Sequence, residues 1–243
     1  AEAEAMRDAA NRSGKVLMYG LVQRFRNETV VLKDMAEAGK FGEIYFAKAT
    51  ILRRRGTPLG WFTDPAKAGG GPVIDIGVHV IDLTRYLMGS PKPVRVSAAV
   101  YSKFGDYKTK MVSRWKALDT DNLVFGVEDL AGGVIHFDNG AAMLFDVSWA
   151  ANAKQIPFHS QIMGTKAGAS VVPLEIYTED QGYLVDEHPV IEKGDMFAAE
   201  VRHFLDCVKT GQTPITNADE GVEIQKILNG IYESARLGKE VEL

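Results

Sequence analysis

Apolar positions recur at helical spacing in three segments of the first third of the chain. They are AEAEAMRDAANRS, which stops at Gly14 and has no N-cap residue ahead of it, Asn27 to Gly39, and about Ile74 to Met88. Between the first two lies KVLMYG, an all-apolar run of the kind found in strands covered on both faces. EIYFAKATILRRR follows as a long strand with partial alternation. Beyond Pro91 the period shortens to two. PVRVSAAVYS, FGVEDLAGGVIHF and AAMLFDVSWAA read as strands, the last two joined by Asp138-Asn139-Gly140, a strong hairpin signal. In AAMLFDVSWAA the residues Met143, Phe145, Val147 and Trp149 face one way, Leu144 and Asp146 the other. Short strands broken by Gly and Pro fill residues 158 to 185. Two helices close the chain, Asp195 to Lys209 and Asp219 to Leu237, the second opened by a capping-box pattern from Thr216 to Asp219. Runs of strands flanked by helices predict an α+β domain whose large, mostly antiparallel open sheet packs against helices. A helix feeding a buried strand is the second half of a βαβ unit, so an N-terminal region ahead of Ala1 is expected.

The segment GGGPVIDIGVHVIDL sets a glycine run before a strongly apolar helix that keeps three polar residues. Asp75, His79 and Asp82 fall at i, i+4 and i+7 and share one helical face, hemmed by Ile76, Val80, Leu83 and Leu87 on one side and Ile74, Val78 and Ile81 on the other. An unpaired buried carboxylate is expensive, so the stripe must be internally paired or open into a cleft. A cleft-facing Asp and His form the arrangement a general base needs, the carboxylate orienting the ring and raising its basicity. Two other readings stay open at this point. Asp75 can be the N-cap of the helix and His79 a satisfied core histidine, or the three polar residues can ligate a divalent metal as in a metal-dependent isomerase or lyase. The triple glycine also offers helix-terminal amides to an anionic or polar ligand.

Composition narrows the classes. The chain has 243 residues, 46% hydrophobic and 25% charged, with a net charge of -4, and Arg53, Arg54 and Arg55 make its one basic run. Nucleic acid is not expected as a partner. No apolar run approaches the roughly 20 residues of a membrane span, so no membrane association is expected either. The single cysteine, Cys207, excludes an internal disulfide and fits a reducing, cytoplasmic setting. It lies beside the stripe Phe197, Val201, Phe204, Leu205 and Val208, as a packed inert thiol.

WFTDPAKAGGGPVIDIGVHVIDLTRYLMG resembles the signature of the Gfo/Idh/MocA family of NAD(P)-dependent oxidoreductases, in which a glycine-rich turn leads into an Asp-x-x-x-His helix. GLVQRFRNE, KFGEIYFAKA, IMGTKAGASV and the C-terminal helix pair are similar to further segments of that family. The resemblance implies a Rossmann domain followed by an α/β domain whose open sheet carries the substrate side and the subunit interface. Residues 1–22 then form the remnant of the dinucleotide-binding domain, and residues 23–243 the substrate-binding and oligomerisation domain. It implies His79 as the acid/base toward a substrate hydroxyl or carbonyl and Asp75 as its partner, with Arg24, Trp61 and Asp82 as substrate-binding candidates. The expected substrate is a sugar, cyclitol or related polyol, the expected assembly a homo-oligomer through the open sheet face, and the cofactor NAD or NADP in the full-length parent. G-x-G-x-x-G and the Glu-Lys-Pro motif do not occur in this sequence, so the cofactor-binding residues are unknown and the chain alone is expected to be inactive and to bind no cofactor tightly. A non-catalytic assembly module is the remaining alternative.

Overall fold

The computed structural model describes residues 1–117 and 124–243. Nine strands form one sheet in the order β8-β7-β6-β5-β1-β4-β3-β2-β9. Its centre is β1 (Ile44–Leu52), paired parallel with β4 (Ala142–Ser148) and antiparallel with β5 (Ile156–Gly164). The remaining pairings, through β2 (Pro93–Tyr101), β3 (Leu130–Phe137), β6 (Gly168–Ser170), β7 (Glu175–Asp180), β8 (Tyr183–Glu187) and β9 (Val241–Glu242), are antiparallel. The hairpin at Asn139-Gly140 forms as expected, Gly140 adopting a φ of 84°.

Strict alternation explains which sheet face is covered. Ala47, Ala49 and Ile51 of β1 and Met143, Phe145 and Val147 of β4 are buried, as are Ala131 and Ile135 of β3. Onto this face pack α4 (Val78–Leu87), against β1 and β5, and α6 (Ala218–Leu237), against β2. Val80, Ile81, Leu83 and Leu87 of α4 join Val222, Ile224, Ile227, Leu228 and Ile231 of α6 in the same core. α2 (Asn27–Glu37) covers α4 in turn. The opposite sheet face carries Lys48, Val134, Leu144 and the hydrogen-bonded pair Thr50 and Asp146, and no helix covers it among the described residues.

Four local expectations change. KVLMYG forms no strand: α1 (Glu2–Ser13) ends at Gly14 in the left-handed conformation, and residues 15–20 run extended with no neighbouring strand among the described residues to pair with. The segment is held by a Tyr19 amide donating to the Thr216 carbonyl at 2.9 Å and the Thr216 hydroxyl donating back to the Tyr19 carbonyl at 2.8 Å. With its hydroxyl so engaged, Thr216 does not cap α6. Asn217 does, accepting from Asp219 and Glu220 amides at 3.0 and 3.2 Å. Arg53, Arg54 and Arg55 lie past the end of β1 instead of within it. In α5 (Met196–Thr210), Cys207 is buried as expected, but Phe197, Val201, Leu205 and Val208 face outward.

Candidate active site

The glycine run turns the chain sharply between α3 (Pro65–Ala68) and the central helix. It packs too closely for any side chain. A Cβ on Gly70 would lie 2.1 Å from the Tyr232 hydroxyl, and one on Gly71 2.4 Å from the Glu128 carbonyl oxygen. The helix that follows opens without a cap of its own. Glu128, from just before β3, caps it from across the fold: its carboxylate accepts from the Gly71 and Val73 amides at 2.9 and 3.1 Å and from the Tyr232 hydroxyl at 2.8 Å. An anion at a helix N-terminus is the favoured arrangement, and here the protein supplies it. The amides that the glycines were expected to offer to a ligand are therefore occupied by Glu128. Burial, followed by the Glu128 charge, pushes the Tyr232 phenol well above the ordinary tyrosine range, so the contact is a phenol donating to a carboxylate.

Residues Val73–Gly77 form a π-helical turn before α4, closed by the Val78 amide bonding to the Val73 carbonyl. Such widened turns often occur at functional sites. They also break regular helical spacing, which redirects the polar stripe. Asp75 lies inside the π turn and makes no capping bond. Its Oδ2 accepts from the Trp149 indole Nε1 at 2.9 Å. The expected pairing, a His79 ring N–H donating to the Asp75 carboxylate, is not formed through Nδ1, which is buried with no partner among the described residues. What couples the two is charge. Burial pulls the His79 pKa below the ordinary value, while Asp75 and then Asp82 act in the opposite direction.

Asp82 does not reach a cleft. It is 1% exposed and receives both Nε and Nη2 of Arg24, at 2.9 and 2.6 Å. Arg24 is itself 2% exposed and also donates to Glu220 of α6 at 2.6 Å and to the Ile215 carbonyl at 2.8 Å, with its guanidinium 4.5 Å from the centre of the Tyr86 ring. Arg85 completes the cluster by donating to Glu220 at 3.0 Å. Burial works against the Arg24 charge, but Asp82 and Glu220 hold its pKa above the ordinary arginine range. With Asp82 so occupied, Asp75, His79 and Asp82 do not converge on a common ion, and no trio of His, Cys, Asp or Glu able to hold a metal occurs among the described residues. Trp61 is partly exposed and stacked on Phe62 at 4.0 Å between ring centres. Glu128, Trp149, Glu220 and Tyr232 escape sequence reasoning because each belongs to a strand or helix pattern that gives no sign of which partner it meets across the fold.

The model of the GFO/IDH/MocA C-terminal domain matches residues 29–170. The chain belongs to this family. D-glucoside 3-dehydrogenase of Escherichia coli (strain K12) is 35% identical over 247 residues, which cover all of this chain and 69% of that protein. The scyllo-inositol 2-dehydrogenase (NAD(+)) of Bacillus subtilis (strain 168) is 24% identical over 232 residues, covering 92% of this chain and 62% of that protein. This GFO/IDH/MocA chain thus spans about two thirds of the length of these relatives, which are sugar and inositol oxidoreductases. Among solved structures, levoglucosan dehydrogenase in complex with NADH and levoglucosan shares the fold with a TM-score of 0.81 at 22% identity, covering all of this chain and 70% of that one. No helix among the described residues is long and apolar enough to cross a membrane.

Proposed function

We propose that this chain is the substrate-binding part of an NAD(P)-dependent dehydrogenase that oxidises a hydroxyl of a sugar, glycoside or cyclitol, with His79 as the proton acceptor. The observation that carries this reading is the His79 ring, whose buried Nδ1 has no partner among the described residues and whose pKa burial lowers, favouring the neutral ring near pH 7. A neutral imidazole beside Asp75 is a base ready for an alcohol proton. In the reaction the substrate hydroxyl gives its proton to His79, the carbinol C–H bond breaks with its electron pair, and the C–O bond becomes a carbonyl. A nicotinamide cofactor, when bound, supplies the acceptor for that hydride.

Asp75, fixed by Trp149, stabilises the imidazolium that forms. The buried Arg24 and Asp82 act one layer below, holding α4 to α6 and to the turn Val22–Phe25, and so position His79 without touching substrate. Trp61, partly exposed, is the aromatic candidate for contact with substrate. The relatives named above support the sugar and cyclitol class and the nicotinamide cofactor. With no G-x-G-x-x-G turn in the sequence, we assign the cofactor's pyrophosphate to no residue of this chain. We also infer self-association through the sheet face bearing Lys48, Leu144 and Val134, because no helix covers this face among the described residues and Leu144 stands exposed on it.

The test is a nicotinamide-absorbance assay of the full-length protein with NAD and NADP against glycosides, free aldoses and inositols. Turnover of at least one of these, lost in His79→Ala, is expected. Absence of turnover with every one overturns the reading. Sedimentation of the chain at tens of micromolar checks the self-association, and a lone monomer peak overturns it.

A further inference from the structure

A ladder of three aromatic rings, drawn from the loops before and after the glycine turn, takes no part in the proton and hydride transfer assigned above. Trp61 stacks on Phe62 at 4.0 Å with 26° between planes, and Phe62 meets Trp115 edge-on at 5.2 Å and 83°. Phe62 packs against the core, whereas Trp61 and Trp115 are 41% and 63% exposed. Two indoles held in the open on a half-buried ring are costly to leave in water unless something covers them.

The ladder is firmly built. The Leu59 amide donates to the Trp115 carbonyl at 2.9 Å and the Ala117 amide returns a bond to the Leu59 carbonyl at 3.0 Å, so the two loops are paired beside the rings. Arg114, next to Trp115, is anchored by bonds to the Thr57 carbonyl at 3.0 Å and to Asp106 at 2.8 Å, and lies 4.5 Å from the centre of the Tyr107 ring. The ladder also runs on into the site. The Gly126 amide donates to the Thr63 carbonyl at 3.0 Å, Gly126 packs on Pro65, and Gly71 packs on Glu128, so the segments carrying the rings stay in contact as far as the turn before Asp75.

We propose that Trp61, Phe62 and Trp115 form an outer subsite that stacks a second sugar ring, the one joined through a glycosidic bond to the ring oxidised at His79. A pyranose has a flat face of C–H groups and a rim of hydroxyls. It matches an indole, which offers an apolar face and one N–H at its edge. Two partly exposed indoles, on segments that stay in contact with the turn before Asp75, suit the part of a substrate that projects away from the reacting carbon. A hydroxyl-rich ring needs only this partial cover, unlike an apolar ligand, which would demand a closed pocket.

The inference rests on the dehydrogenase reading, and its test separates the two. kcat/KM is measured in the full-length protein for cellobiose and for methyl β-D-glucoside, with Trp115→Ala and Trp115→Phe. Trp115→Ala is expected to lower the ratio of the two, disaccharide over monosaccharide, by roughly three- to tenfold, the scale of one aromatic contact, and Trp115→Phe to restore most of it. An unchanged ratio overturns the proposal, as does a rise confined to the KM of the nicotinamide cofactor. If neither sugar is turned over, the dehydrogenase reading fails by itself. Cellobiose titrated against tryptophan fluorescence then still decides the subsite: binding weakened by Trp115→Ala sustains it, and binding that is absent or indifferent to the substitution overturns it.

Discussion

Trp149 and Asp75 are joined by a single hydrogen bond, indole Nε1 to carboxylate Oδ2 at 2.9 Å, that ties a fully buried core residue at the end of β4 to the π turn ahead of α4. The carboxylate keeps its orientation because the indole cannot move. Trp149→Phe keeps an aromatic ring in the core but removes the donor together with the fused five-membered ring, so some packing is lost as well. A hydrogen bond to a charged group contributes about 1.5–3 kcal/mol, so a loss of that order is expected in denaturant unfolding, with a fall in kcat from the loosened Asp75. A variant as stable and as active as the parent would remove Trp149 from the site.

His79→Ala separates a catalytic histidine from a packed one. A proton acceptor contributes about 10²- to 10⁴-fold to kcat, so under the proposed role the substitution should lower kcat by that factor with cofactor affinity nearly unchanged. Stability should change little, since the lost packing is offset by removing a buried nitrogen that has no partner among the described residues. An active variant that merely melts earlier would sink the assignment.

The depressed His79 pKa has a signed consequence for pH. Burial makes the folded state bind the imidazole proton less readily than the unfolded chain, whose histidine titrates near the ordinary value of about 6.5. The folded state is therefore favoured by the neutral ring. The stability contributed by the site is fully present above about pH 6.5 and declines as pH falls from there toward the lower folded pKa. Oxidation should follow the same group, with the acid limb of kcat/KM lying below pH 6.5. Asp75 acts to raise this pKa, so Asp75→Asn should move the acid limb to still lower pH. A shift to higher pH, or no shift, would show that another group controls the profile.

Much of the architecture was legible because period-two alternation and the Asn-Gly turn are local signals. Met143, Phe145 and Val147 could be placed on one sheet face from their spacing alone, and α4 from its apolar flanks. The site was legible only in part. Helical spacing put Asp75, His79 and Asp82 on one face, but the π turn at Val73–Gly77 shifts Asp75 relative to the two below it, and nothing in the apolar run marks such a turn. Long-range partners are equally silent. Arg24 and Asp82 are 58 residues apart, and Glu128 stands 57 from the Gly71 amide it accepts from. KVLMYG shows the converse: strand composition without a neighbouring strand gives only extended chain.

Arg24→Met tests the buried cluster. Removing the guanidinium leaves Asp82 buried without its two donors and Glu220 with Arg85 and Ser90 alone, and breaking a buried pair from one side costs about 3–5 kcal/mol. Chemical denaturation should show a loss of that size. If Arg24 instead gripped substrate directly, stability would hold and KM alone would rise.

Glu128 gives the sharpest test of how the catalytic helix is started. Its carboxylate receives two main-chain amides and the Tyr232 hydroxyl, all donors, so an amide in its place must aim N–H groups at donors. Glu128→Gln should therefore destabilise more than Tyr232→Phe, which removes one donor and leaves the carboxylate with both amides. By the usual cost of a buried group left unpaired, the first should lose about 1–3 kcal/mol and the second about 0.5–1.5 kcal/mol. Because the cap sets where Asp75 and His79 stand, kcat in Glu128→Gln should fall while the KM for cofactor stays near that of the parent. Thermal unfolding and steady-state kinetics on the two variants check the order, and a Tyr232→Phe protein that is the less stable of the two would mean that the phenol, and not the carboxylate, holds the glycine turn.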